Sequence, residues 1–303
     1  MDKQSSKQRI TFEDSALEAS LNYLRDRSDR NLERLISKPG NRLAYHHYLW
    51  SSSGTKMAIE EFWREKLSRT FWSRQLESNV NAVQMHLQNQ DEKEWLQEIL
   101  RYLPEGHVFN TTSYLILGYD NVVFGENVAL NMSFEQFHLD RRESTYYLIH
   151  ELAHAGYVRY HPLPELWNIR TVRELLDVVK FLTHLEGMGV ISALRLRISQ
   201  GGTLDGDYRT LLDDAETARR VNQYFKILGD IESDLNKALE ECDFQVFEEM
   251  SRKNTRLWYI TGCHMAQEIE KRFGIEMLRK LVEQGSREFF NKYYEIGDRL
   301  REA

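Results

Sequence analysis

Helix breakers are scarce in this chain, with 4 prolines and 16 glycines among 303 residues. Those two residues cost the most inside a helix, so their rarity favours long helices. Cysteine is rarer still. Cys242 and Cys263 form no Cys-x-x-Cys pair, which argues against a disulfide framework and a thiolate zinc cluster. Two free, buried thiols in a reducing compartment are expected, with a single bridge as the alternative. Positive charge is in deficit: 40 Lys and Arg stand against 47 Asp and Glu, for a formal net charge of −7. Without a basic block the chain is a poor partner for nucleic acid or for an anionic membrane surface. No segment approaches the ~18 apolar residues of a membrane helix. The opening Met1-Asp2-Lys3-Gln4-Ser5-Ser6-Lys7 lacks the apolar run of a secretory leader. A cytoplasmic location is the simplest expectation, and a secreted product with its leader removed is the alternative.

What is present is ordinary for a globular protein, 41% hydrophobic and 29% charged, and long enough for one large domain or two lobes. Apolar residues recur at helical spacing over 12–38 (Leu17, Leu21, Leu24) and 55–102 (Met57, Ile59, Phe62, Trp63, Leu67). Pro39-Gly40-Asn41 and Ser51-Ser52-Ser53-Gly54 read as turns between them. His46, His47, Trp50, Phe71 and Trp72 read as core and surface of this helical part.

After Pro104 the texture changes. Ser113-Tyr114-Leu115-Ile116-Leu117, Val122-Val123-Phe124 and Val128-Ala129-Leu130-Asn131-Met132 are short β-branched and aromatic runs, punctuated at Gly118 and Gly125, and they predict a small meander. Val128–Met132 reads as a core strand, with pairing of an extended peptide along its edge as the alternative. Helical spacing resumes over 143–158, which Pro162 and Pro164 terminate. It continues over 169–199 up to Gly201-Gly202, then over 207–250, 254–272 and, past Gly274 and Gly285, to the C-terminus. The charge-rich 213–253 stretch reads as a solvated helical pair. The expected class is mainly α with a small β-sheet (α+β), divided into a helical N-terminal lobe over 1–105 and a second domain over 106–303.

The chemistry is concentrated in His150-Glu151-Leu152-Ala153-His154. Residues four apart on a helix lie on one face, one turn apart, so both imidazoles can reach one zinc ion at about 2.0–2.1 Å. Glu151 projects to the side, where a carboxylate can hold a water on the metal and take its proton as general base. With ten histidines in the chain, chance would produce this pattern in only a few chains per hundred. The motif also lies inside a strong helix that follows the strand region.

An open catalytic zinc site usually has three protein ligands and one water. The metzincin extension is excluded: it needs Gly at 157 and His at 160, and the chain has Tyr157 and Tyr160, with His161 out of register. Glu186 is the better third ligand. It is a lone acid in an otherwise apolar helix, Leu185-Glu186-Gly187-Met188-Gly189-Val190, where an unpaired carboxylate is costly. Gly189 and Ala193 share its face and leave room for a neighbouring helix. His161 and Glu165 are weaker alternatives, and His184 is expected to be packed or on the surface.

With these residues in view the chain resembles the gluzincin metallopeptidases. More narrowly, it is similar to a poorly characterised prokaryotic family assigned as zinc-dependent peptidases. His150-Glu151-x-x-His154 and Glu186-Gly187 carry the likeness, and so does the late stretch Tyr259-Ile260-Thr261-Gly262-Cys263-His264-Met265-Ala266. The resemblance covers roughly 110–295. It implies a zincin-like core, one Zn2+ per chain and hydrolysis of peptide or protein substrates.

A donor to the carbonyl oxygen that turns negative would complete such a site. Tyr259 and His264 are the candidates. They lie about 140° apart around the helix, and Tyr259 is favoured because Gly262, Cys263 and Ala266 share its face. The expected function is therefore a zinc peptidase. A zinc hydrolase of other amides or esters, and a helical interaction protein with a structural zinc, are the rival readings.

Overall fold

A computed structural model describes residues 8–51, 55–202 and 205–302, with the side chains described up to 297. Most of the turn expected at 51–54 lies outside the described residues. The chain is mainly helical with one four-stranded mixed sheet, the α+β class expected. By contact density it divides into two compact units, residues 1–95 with 106–159, and 96–105 with 160–303.

The first unit opens with strand β1 (Arg9–Glu13), followed by α1 (Ser15–Arg25), α2 (Asp29–Ile36), α3 (Pro39–Ser51), α4 (Ile59–Lys66) and α5 (Arg74–Gln88). Leu17, Leu21 and Leu24 of α1 and Phe62 and Trp63 of α4 are buried, as their spacing predicts. Pro39-Gly40-Asn41, read from sequence as a turn, is instead the first turn of α3. Proline suits that position because its fixed φ is already helical and a first-turn N–H has no partner to lose. Gly40 is buried there: a Cβ on it would lie 2.8 Å from the Tyr114 Cβ, so α3 meets the sheet at backbone distance.

α6 (Glu92–Leu100) leads on to β2 (Asn110–Ile116), β3 (Val122–Phe124), β4 (Asn127–Asn131), α7 (Glu135–Leu139) and α8 (Arg142–Val158). The strand order is β1-β2-β4-β3. β1 and β4 both run parallel to β2, and β3 pairs antiparallel with β4 through the hairpin at Gly125, whose φ is +61°. The sheet is thus no meander, because β3 skips past β4 to the edge. β4 is flanked on both sides by strands, which removes the peptide-pairing edge considered for Val128–Met132; its ladder groups are already committed. β1 was not expected. Its five residues offer only a weak alternation, and their partners are a hundred positions away.

The second unit is helical: α9 (Val172–Gln200), α10 (Gly206–Leu211), α11 (Asp214–Glu232), α12 (Gln245–Ser251), α13 (Leu257–Phe273), α14 (Ile275–Gln284) and α15 (Ser286–Glu302). α9 is the long axis of this unit and packs chiefly along α13. α11 buries Val221, Tyr224 and Leu228 and turns Arg219 outward, with Glu216 pairing both Arg219 and Arg220. Cys242 is exposed and Cys263 buried, and both are free. Among the described residues no helix is long and apolar enough to cross a membrane.

Candidate metal centre

α8 starts where the Asp140 carboxylate accepts the Arg142 backbone N–H at 3.0 Å and pairs with its guanidinium. It runs against β3 and β4 with nearly every residue from Glu143 to Val158 buried. On this helix the His150 and His154 rings stand one turn apart, 4.4 Å between centroids and 77° between planes. Glu151 lies between them, and it and His154 are buried while His150 is half-exposed. Buried imidazole and carboxylate groups are stable only with polar partners, so this face of α8 is committed to polar chemistry.

Glu186 sits mid-way along α9. Both ends of that helix are fixed by local sequence. Thr171 and Glu174 form a reciprocal capping box. At the other end Gly201 adopts φ +74°, with Gly202 N–H bonded to the Arg197 carbonyl at 2.8 Å and Gly201 N–H to that of Ile198, a Schellman termination. Beside Glu186, Gly187 meets Gly262 of α13. A methyl on Gly187 would come 2.6 Å from the Gly262 Cα, and one on Gly262 would run into the Thr183 carbonyl oxygen. Two glycines therefore let α9 and α13 touch backbone to backbone next to the carboxylate.

Among the described residues one group of His, Cys, Asp and Glu side chains could hold a metal ion: His150, His154 and Glu186 each offer one donor atom, and these atoms lie within 4.8 Å of one another. A tetrahedral ion with bonds of about 2.1 Å needs donors about 3.4 Å apart. Two imidazole nitrogens and one carboxylate oxygen, leaving a fourth position for water, are the donor set of an open zinc site.

The weaker sequence candidates are engaged elsewhere. His161 has its Nε2 2.8 Å from the Val282 carbonyl and its ring against Gly285. Glu165 accepts from Asn168. His184 is fully buried and stacked on Phe289 at 4.0 Å, and burial holds it well below the ordinary imidazole pKa, so it is the packed histidine expected.

Of the two oxyanion candidates, Tyr259 is the one electrostatically coupled to Glu186. Burial first, and then the Glu186 carboxylate, raise its phenol above the ordinary value. His264 stands edge-on to Tyr293 at 6.2 Å; burial lowers its pKa, and its charged neighbours are Glu268 and Lys271.

Sequence reasoning missed Arg256 and Asp207. Arg256 is the one non-glycine at positive φ (48°) among the described residues and immediately precedes α13. Its Nε bonds both Asp207 oxygens at 3.1 and 3.0 Å, and its guanidinium lies over the Tyr259 ring at 3.3 Å. Burial opposes the Arg256 charge, but Tyr259, Asp207 and Glu186 outweigh it and the net shift is upward. Burial pushes the Asp207 carboxyl above the usual carboxylate range, against the opposing pull of Arg256. Nothing in Lys253-Asn254-Thr255-Arg256 distinguishes this arginine from a surface charge; the signal is its backbone conformation.

A family model described as "Putative zinc dependent peptidase (DUF5700)" matches residues 32–300, in keeping with the resemblance drawn from the motifs. No curated protein and no solved structure matches the chain.

Proposed function

The chain belongs to this family, and from that membership we propose that it is a zinc peptidase whose metal is held by His150, His154 and Glu186 within a zincin-like core. The observation that carries the reading is the approach of three donor atoms of the right kinds to within 4.8 Å. When bound, zinc supplies a Lewis acid that brings the pKa of a coordinated water to about 7. The residues of the chain do the rest. Glu151, buried and next to His150, takes the proton of the attacking water and returns it to the leaving amine. Tyr259 donates its phenol O–H to the carbonyl oxygen as charge develops there. Its raised pKa keeps the proton in place at neutral pH.

The test is metal content paired with turnover. Wild type should hold one zinc per chain and hydrolyse a peptide library. Glu151→Gln should keep the zinc and lose hydrolysis, and Glu186→Ala should lose both. A Glu151→Gln protein that cleaves at the wild-type rate would remove the assigned base, and a Glu186→Ala protein with undiminished zinc would remove the third ligand.

A further inference from the structure

In the second unit a cavity of about 340 Å³ opens between α10, the start of α11 and the segment leading into α13. Four cations line it, Arg209, Arg220, Lys253 and Arg256, together with three acids. The acids are all engaged. Asp207 takes Arg256. Asp213 caps α11 by accepting the Ala215 and Glu216 N–H groups at 3.0 Å. Glu216 takes Arg219 and Arg220.

The cations are not all engaged. Arg209 and Lys253 make no ion pair among the described residues. Arg256 spends Nε and Nη2 on Asp207, and its side chain remains 29% exposed. A chain of net charge −7 thus gathers unspent cationic donors around one concavity. Guanidinium and ammonium groups in a shared pocket repel one another until an anion enters, and a carboxylate there makes short charge-assisted hydrogen bonds. The cavity also reaches the proposed oxyanion donor: the Arg256 guanidinium lies 3.3 Å over the Tyr259 ring.

We infer that this cavity is a substrate subsite for a carboxylate of the peptide, received by Arg209, Lys253 and the free edge of Arg256. The inference rests on the peptidase reading above and adds the substrate class, namely peptides that present a negative charge at a fixed distance from the scissile bond. A glutamate or aspartate side chain and a free C-terminus share this chemistry.

Calorimetric titration of the full chain carrying Glu151→Gln, with and without added zinc, tests it without consuming the ligand. Four matched hexapeptides serve as probes: one glutamate with a free C-terminus, the glutamine version, the C-terminal amide, and the version with both neutralised. The charged peptide is expected to bind at least about tenfold more tightly than the doubly neutral one. The single neutralisation that removes the advantage identifies the carboxylate as side chain or terminus. Adding Arg209→Ala and Lys253→Ala, both exposed positions that leave folding intact, should erase the discrimination while zinc content stays unchanged. Equal binding of charged and neutral peptides, equal binding by the Arg209→Ala/Lys253→Ala protein, or no binding of any probe at millimolar concentration would overturn the subsite. Absence of zinc with charge discrimination intact would overturn the peptidase reading and the substrate role with it, while the affinity of the cavity for a carboxylate would stand.

Discussion

Gly262→Ala is the substitution that tests the architecture behind the carboxylate. The new methyl would collide with the Thr183 carbonyl oxygen and stand 2.8 Å from the Gly187 Cα and 3.0 Å from its nitrogen. None of these is the tip of a flexible side chain, so α9 and α13 must separate by roughly 1 Å to restore van der Waals distances. Overpacking of this kind costs about 1–3 kcal/mol, and the better helix propensity of alanine returns about 1 kcal/mol. The net loss, about 0–2 kcal/mol, corresponds to a melting point lower by at most a few degrees in a protein of this size.

The functional effect should be larger. Gly187 is next to Glu186, and a misplacement of about 1 Å in a catalytic constellation can cost about a hundredfold. Thermal unfolding, zinc affinity by competition with a chelator, and peptide turnover should therefore all decline, the last two more than stability alone would require. Gly229→Ala on α11 is the control. It is also a helical glycine, but a Cβ there meets nothing within 4 Å, so alanine should stabilise by about 0.5–1 kcal/mol. If Gly262→Ala melts as high as Gly229→Ala and binds zinc as wild type does, the backbone contact between α9 and α13 does not set the position of Glu186.

Further expectations concern charge. Asp207→Asn leaves the Arg256 guanidinium without its carboxylate and should cost about 2–4 kcal/mol in urea denaturation; the double variant with Arg256→Met should recover part of that, and a simple sum of the two single effects would count against a coupled pair. Burial, helped by Arg159, lowers His107 from 6.5 to about 4. The unfolded chain therefore takes up the proton first as pH falls, and stability should decline between about 6.5 and 4 and then level off, on the order of 3 kcal/mol in all. His107→Gln should flatten that segment of the melting-temperature profile, and an unchanged profile would assign the pH dependence to other groups. Glu186→Gln, which keeps the shape and removes the charge, should weaken zinc binding at least about tenfold by the same chelator competition; unchanged affinity would exclude the carboxylate from the donor set.

Much of the local structure could be read from the chain itself. The imidazole pair at 150 and 154 is a matter of helical pitch, and α8 extends over the residues its apolar spacing predicts. α9 starts and stops at the Thr171–Glu174 box and at Gly201 because capping chemistry is written within a few residues of each end. Glu186 could be singled out because a lone acid in an apolar helix demands a partner.

The elements that escaped are those whose stability depends on distant segments. β1 is a strand because Asn110–Tyr114 lies beside it. Gly40 is required in the first turn of α3 because a Cβ there would lie 2.8 Å from the Tyr114 Cβ of β2. Arg256 has a left-handed backbone where its side chain is held by Asp207, 49 positions earlier in the chain. Periodicity and capping act over one or two turns and are fixed by neighbouring residues. Strand partners and the glycine contact of α9 with α13 depend on loop closure and packing over tens to hundreds of residues, and only the folded chain decides them.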